Sequence, residues 1–222
     1  MDLDFEPLAD VVRALEQMHL PYAISGSVAL GLWAVPRTTH DVDIVVALPA
    51  ARITEFCAYF PPDRYYIDPA AMAEAFQHAQ QPSRGMYSFI HMPSGLKLDL
   101  FPLRPSDPVQ ASTLQHRVLE DLTPGLRAAV CAPADLLIQK LEWYSLGSSQ
   151  RQFQDCLNLV LADQERAVPQ IDWTQVDERT RRLGPAIAHA WQLLQAAVAA
   201  IQAPPAAPDA PGGLSGGRDP GA

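Results

Sequence analysis

Ser25-Gly26-Ser27, a short apolar stretch, and then Arg37-Thr38-Thr39-His40-Asp41-Val42-Asp43-Ile44-Val45-Val46 form the part of this sequence best equipped for chemistry. In a strand, residues i and i+2 share a face, so Asp41 and Asp43 project together while Val42, Ile44 and Val46 turn to the core. Side-by-side carboxylates repel, and a divalent cation is the partner that stabilises both. Mg2+ in phosphoryl transfer is held by one or two carboxylates together with substrate phosphate oxygens, and Mn2+ takes the same hard oxygen donors. A glycine turn entering a helix N-terminus supplies the complementary half, because small residues let backbone N–H groups approach a phosphate. The combination points to a nucleoside triphosphate site. The plain structural readings are a turn glycine at Gly26, an N-cap at Ser27 for the helix holding Val28, Ala29, Leu30 and Trp33, and solvated aspartates at a strand start. The run Ile44-Val45-Val46-Ala47 reads as a central strand, where unpaired carboxylates need a reason.

The elements that must position these residues follow from periodicity. Leu8, Val11, Val12, Leu15 and Met18 recur at helical spacing and predict a first helix ending before Pro21. Tyr22-Ala23-Ile24 makes the first strand, Pro49 opens a helix through Phe60, and a further helix lies near Pro69 to Ala79. Met86 to His91 and Leu96 to Phe101 flank Pro93-Ser94-Gly95 as a hairpin, with Leu96, Leu98 and Leu100 on one face and Lys97, Asp99 and Phe101 on the other. The later part is helical, over Pro133 to Leu146, Arg151 to Ala162, and Thr174 to about Gln202. The predicted fold class is α+β: a small mixed β-sheet with flanking helices over residues 1–131, a helical region over 132–202, and a Pro-, Ala- and Gly-rich tail over 203–222 expected to be disordered.

With 222 residues, 48% of them hydrophobic, the chain can bury a substantial core. The three cysteines, Cys57, Cys131 and Cys156, lack metal-ligand spacing and read as reduced, buried thiols. The start Met1-Asp2-Leu3-Asp4 is acidic, unlike a secretory signal, and no apolar run reaches membrane-spanning length, so a cytoplasmic location with no membrane partner is expected. A net charge of −9 argues against broad electrostatic adhesion to nucleic acid. A local basic patch would still admit a nucleic-acid acceptor; Arg37, Arg179, Arg181 and Arg182 are contributors to one, or the last three mark a solvated helix face. Trp143, Trp173 and Trp191 read as packing residues, and Ser27 has no readable triad partners.

Gly26-Ser27, the spacer Val28 to His40, and Asp41-Val42-Asp43 together resemble the signature of the nucleotidyltransferase superfamily that includes DNA polymerase beta, with a slightly longer spacer. Lys97-Leu98-Asp99 and the segment from Pro133 to Asp155 make the chain most similar to small bacterial nucleotidyltransferases of abortive-infection and toxin–antitoxin type, over about residues 5 to 185. The resemblance implies that Asp41, Asp43 and Asp99 bind one or two metal ions, that Asp99 orients or deprotonates the acceptor, and that Gly26 and Ser27 cradle the triphosphate. Arg37 joins the implied nucleotide-binding residues. Lys97 either holds a phosphate oxygen or offsets the acids. Lys140 either crosses to a nucleotide phosphate, as a matching lysine does in the family, or snorkels to solvent. Arg151 and Asp155 either belong to the family's helical motif or form an ordinary i,i+4 salt bridge. The implied reaction moves a nucleoside monophosphate from an NTP to tRNA, a protein hydroxyl or a small molecule, with a cognate antitoxin as partner. The competing reading is a catalytically silent nucleotide-binding or regulatory module, which the intact Asp41, Asp43 and Asp99 disfavour.

Overall fold

The computed structural model describes residues 5–78 and 85–203. The acidic start, the last residue of the helix predicted to reach Ala79, and the tail beyond residue 203 lie outside the described residues. The first helix, α1 (Glu6–Gln17), buries Leu8, Val11, Val12 and Leu15 along the predicted stripe. Strand β1 (Tyr22–Ile24) leads through Ser25 into α2 (Gly26–Trp33), and β2 (Asp41–Val46) follows. A 3-10 turn (Ala50–Arg52), α3 (Ile53–Cys57), β3 (Tyr65–Tyr66) and α4 (Pro69–Gln77) precede the hairpin of β4 (Tyr87–His91) and β5 (Leu96–Pro102). Then come α5 (Pro108–Gln115), β6 (Val118–Thr123), β7 (Leu126–Val130) and four helices: α6 (Pro133–Gly147), α7 (Gln150–Gln164), α8 (Trp173–Leu183) and α9 (Pro185–Gln202).

The described strands form one seven-stranded mixed sheet in the order β3-β4-β5-β2-β1-β7-β6. At its centre β2 runs parallel to β5 and antiparallel to β1. The parallel register aligns Asp41 with Lys97 and Asp43 with Asp99, so the period-two alternation of both strands puts all four side chains on one sheet face. Val42, Ile44, Leu98 and Leu100, on the opposite face, are fully buried. Buried side chains from α1, the sheet, α6, α7 and α9 join in one continuous apolar cluster, so the late helices share the core of the sheet. No helix among the described residues is long and apolar enough to cross a membrane.

Several elements differ from the sequence expectation. The helix predicted from Pro49 to Phe60 is a 3-10 turn followed by a short α3, because Tyr59 and Phe60 donate to Phe56 and Cys57 in tightened i to i−3 bonds. That turn carries the Phe60 ring to within 5.1 Å of Tyr65 and 5.0 Å of Phe89. The helix predicted from Thr174 to Gln202 is two helices. Gly184 takes φ +131°, a left-handed conformation that favours glycine, and Pro185 disfavours helix at the residue before it. Finally, the sequence expectation lacks the two-residue β3, and it lacks α5 and the β6–β7 hairpin. The last two carry local signals: Asp107 caps α5 by accepting from the Val109 and Gln110 N–H groups, with Pro108 at the first turn, and Pro124-Gly125 joins β6 to β7 with Gly125 at φ +92°.

Candidate active site

A cavity of about 340 Å³ opens where the carboxylate face of the sheet meets α6 and α7. Asp41, Asp43 and Asp99 line it with Gly26 and Ser27, and so do Arg37, Lys140 and Arg151. The volume lies in the range of small-ligand sites.

Gly26 is required by its place. Its φ is +56°, and a Cβ at this position would overlap the Asp43 carboxylate, so the glycine turn and the second aspartate fit against one another as a unit. The Ser25 N–H donates to the Asp43 carbonyl at 2.8 Å, tying the turn to β2. Helix α2 starts at Gly26, and its N-cap is Ser25; Ser27, expected as the N-cap, lies inside the first turn and is buried. The Ser25 hydroxyl is drawn away from the helix end, donating to Gln139 Oε1 at 2.5 Å. Gln139 Nε2 in turn donates to Thr113 Oγ1 at 2.6 Å, so one α6 amide fastens the glycine turn to α5. Gln139 was not singled out in the sequence, where an amide amid Leu136, Leu137 and Leu141 shows no partner.

The acids differ in their engagement. Asp41 Oδ1 accepts from Thr39 Oγ1 at 2.5 Å. Asp99 is buried; its Oδ2 lies 3.5 Å from Lys97 Nζ, while its Oδ1 is buried with no hydrogen-bond partner among the described residues. The Asp43 carboxyl is pushed up to about 6, first by burial and then by the charges of Asp41 and Asp99, against the opposing pull of Lys140 and Lys97. The donor set is all oxygen and includes one buried carboxylate oxygen without a partner among the described residues, which fits Mg2+ or Mn2+. As placed, no group of three or more His, Cys, Asp or Glu side chains among the described residues is arranged to hold one ion. The structure therefore brings Asp43 and Asp99 side by side and turns Asp41 partly to Thr39.

The cationic wall departs from the sequence expectation. Lys140 does not snorkel: it is buried, and its Nζ donates to Asp155 Oδ2 at 2.7 Å. Asp155 is also buried and accepts from Arg37 Nε at 3.3 Å and Nη2 at 3.2 Å. It forms no bond with Arg151, so the simple i,i+4 salt bridge is replaced by a three-member ion cluster joining the loop before β2 to α6 and α7. Asp155 is not among the cavity-lining residues; it holds from behind the two cations that are. Arg151 is exposed at the rim. Lys97, half-exposed, is placed to offset Asp99, and it too lies off the cavity lining.

The other arginines have local roles. Arg179 bonds Asp135 and Ser112, clasping α8 to α6 and α5, whereas Arg181 and Arg182 pair within α8 with Asp177 and Glu178. All three cysteines are buried and unpaired, and burial pushes the Cys57 and Cys156 thiols up to about 11 and about 12. Trp173 and Trp191 pack with ring centroids 5.2 Å apart, as expected of core residues. Trp143 is instead exposed on the cavity lining.

No protein-family model matches this chain, and no curated protein matches its sequence. Solved structures match its fold. An antigenic nucleotidyltransferase-like protein from Paracoccidioides brasiliensis superimposes with a TM-score of 0.53 at 18% identity, over 90% of this chain and 88% of that one. The antibiotic-resistance factor ANT(2'')-Ia matches more loosely, with a TM-score of 0.39 at 14% identity over 87% of this chain and 90% of that one. A CCA-adding enzyme in complex with ATP gives a TM-score of 0.36 at 13% identity, over 89% of this chain and 52% of that one. The first likeness shows the fold: the mixed sheet with its flanking and C-terminal helices is that of a nucleotidyltransferase-like protein.

Proposed function

We propose that this protein is a metal-dependent nucleotidyltransferase, moving a nucleoside monophosphate from an NTP to an acceptor hydroxyl with release of pyrophosphate. The observation that carries the reading is the in-register pair Asp43 and Asp99 against the Gly26 turn, with a buried Asp99 oxygen that has no partner among the described residues, in a cavity that Lys140 and Arg37 also line.

Asp43 and Asp99, with Asp41, are the residues that would hold Mg2+ or Mn2+. When bound, such an ion neutralises charge on the triphosphate and on the attacking and leaving oxygens. The backbone N–H groups at the start of α2 receive phosphate oxygens. Lys140 and Arg37, kept in place by Asp155, carry positive charge into the cavity for the triphosphate. Asp99 orients the acceptor hydroxyl and takes its proton as the new oxygen–phosphorus bond forms at the α-phosphate. The bond between the α-phosphorus and the bridging oxygen to the β-phosphate breaks, and that oxygen leaves with pyrophosphate.

The toxin-type subgroup, with a cognate antitoxin as partner, is the finer form of this reading, carried by Lys97-Leu98-Asp99 and residues 133–155. One observation favours the silent-module alternative: the three acids do not surround a single point as placed. Incubation with each labelled NTP, Mg2+ and cell lysate decides between them. Pyrophosphate release with label moving to RNA, protein or a small metabolite is the expected result and identifies the acceptor. Nucleotide binding without release under any acceptor condition would establish the silent module.

A further inference from the structure

The chemistry of the cavity changes along α6. At its buried end Lys140 faces Asp155; one turn later Trp143 is 45% exposed, and a further turn on Leu146 is 65% exposed, all three lining the same cavity. Met86, 40% exposed just before β4, lines it as well. The other tryptophans are engaged elsewhere: Trp33 donates from Nε1 to the Cys131 carbonyl at 2.9 Å, and Trp173 and Trp191 pack on each other. Trp143 alone among them presents a large flat ring to the cavity from a rigid helix.

Three residues of α-helix advance by about 4.5 Å. A ligand whose anionic end reaches Lys140 is bordered, one turn further along the same helix, by the Trp143 ring, with the apolar Leu146 and Met86 lining the cavity as well. In a nucleoside triphosphate the aromatic part is the base, which offers a π face whatever its identity. We propose that Trp143 is the platform on which the NTP base stacks, with Leu146 and Met86 bordering it. The assignment rests on the nucleotidyl-transfer reading, since it takes the phosphate end of the same ligand to lie between Lys140 and the acidic pair.

The test separates base from phosphates. Binding to the intact 222-residue chain with Mg2+ is measured by calorimetry for α,β-methylene-ATP, which cannot undergo transfer, and for inorganic tripolyphosphate, which has no base. Trp143→Ala should weaken the ATP analogue by about tenfold while leaving tripolyphosphate within about twofold, and Trp143→Phe should recover most of the loss, because base–aromatic stacking depends on the ring. Melting temperatures should stay at the parent value, since the side chain is half-exposed. Loss of both ligands in equal measure, or no loss of the ATP analogue, overturns the platform while leaving nucleotidyl transfer standing. A parent protein that binds neither ligand overturns the transfer reading, and the platform with it.

Discussion

The two walls of the cavity are built by different means. The acidic wall follows from strand geometry: Asp41 and Asp43 are two residues apart on β2, the parallel register sets Asp99 of β5 beside Asp43, and strand alternation aims them at the cavity. The cationic wall is assembled across the chain, with Arg37 and Asp155 meeting from positions 118 apart and Lys140 joining from a third element. The acidic wall keeps net repulsion despite Lys97 and Lys140, while the two cations of the other wall share one anion, Asp155. The first is poised to take up charge, and the second to keep its charges in position. Substitutions on the two walls should therefore differ in sign as well as size.

The largest effect on stability should come from the shared anion. Asp155→Ala leaves buried Lys140 and half-buried Arg37 without their common partner, and breaking a buried pair on one side costs about 3 kcal/mol or more. Chemical denaturation should show that loss, with Asp155→Asn milder because its carbonyl still accepts a hydrogen bond. A change within about 0.5 kcal/mol for Asp155→Ala would mean that the cluster does not hold the cationic wall.

On the acidic wall the sign reverses. The Asp43 carboxyl, raised to about 6 in the folded protein, opposes folding once ionised; that cost is absent below the unfolded-state value and fully present above about 6. At pH 8 without metal, Asp43→Asn should therefore be as stable as the parent or more so. It should gain less in melting temperature from added Mn2+ and lose transfer by about a hundredfold, near 2.7 kcal/mol of barrier. Paired melting curves with and without Mn2+ decide it, and an equal metal response in both proteins would remove Asp43 from the metal site.

Gln139 sits between the walls and sharpens the contrast. Gln139→Leu keeps the volume but strips the Ser25 hydroxyl and Thr113 of their common partner, at about 1 to 2 kcal/mol. The glycine turn it steadies should bind nucleotide less well, read as a rise in NTP Kd with the metal-induced shift of the acidic wall retained. Unchanged stability and affinity would show that β2 alone fixes the turn.

The same division explains what the sequence made legible. The i,i+2 acids, the Gly-Ser turn and the face-splitting pattern of Leu96 to Phe101 are recorded within a few residues, so the sheet centre and its acidic face could be read directly. Lys140 amid Leu136, Leu137 and Leu141 could not be placed, because its partner sits on the next helix and the i,i+4 candidate Arg151 offered a cheaper local pairing for Asp155. Trp143 was read as packing because an aromatic at helical spacing usually is; only the cavity beside α6 separates it from Trp191. The hairpin of β6 and β7 and helix α5 left readable marks in Pro124-Gly125 and Asp107-Pro108, which the weak apolar alternation around them obscured.

The smallest expected effect tests that misplaced pairing itself. Arg151 is exposed, and an i,i+4 bridge to Asp155 would contribute only about 0.3 to 0.5 kcal/mol. Because Asp155 is already committed to Lys140 and Arg37, Arg151→Gln should leave stability within about 0.5 kcal/mol, and the double-mutant cycle of Arg151→Gln with Asp155→Asn should be additive in denaturation free energy. As a rim charge on the cavity lining, Arg151 should instead show itself in ligand binding. Its removal should weaken NTP binding a few-fold at low salt and hardly at all at high salt, where exposed charges are screened. A coupling energy above about 0.5 kcal/mol would mean that Arg151 does reach Asp155 in solution. Asp155 would then be shared by three cations rather than two, leaving like charges on both walls, and the contrast between them would narrow to a difference of degree.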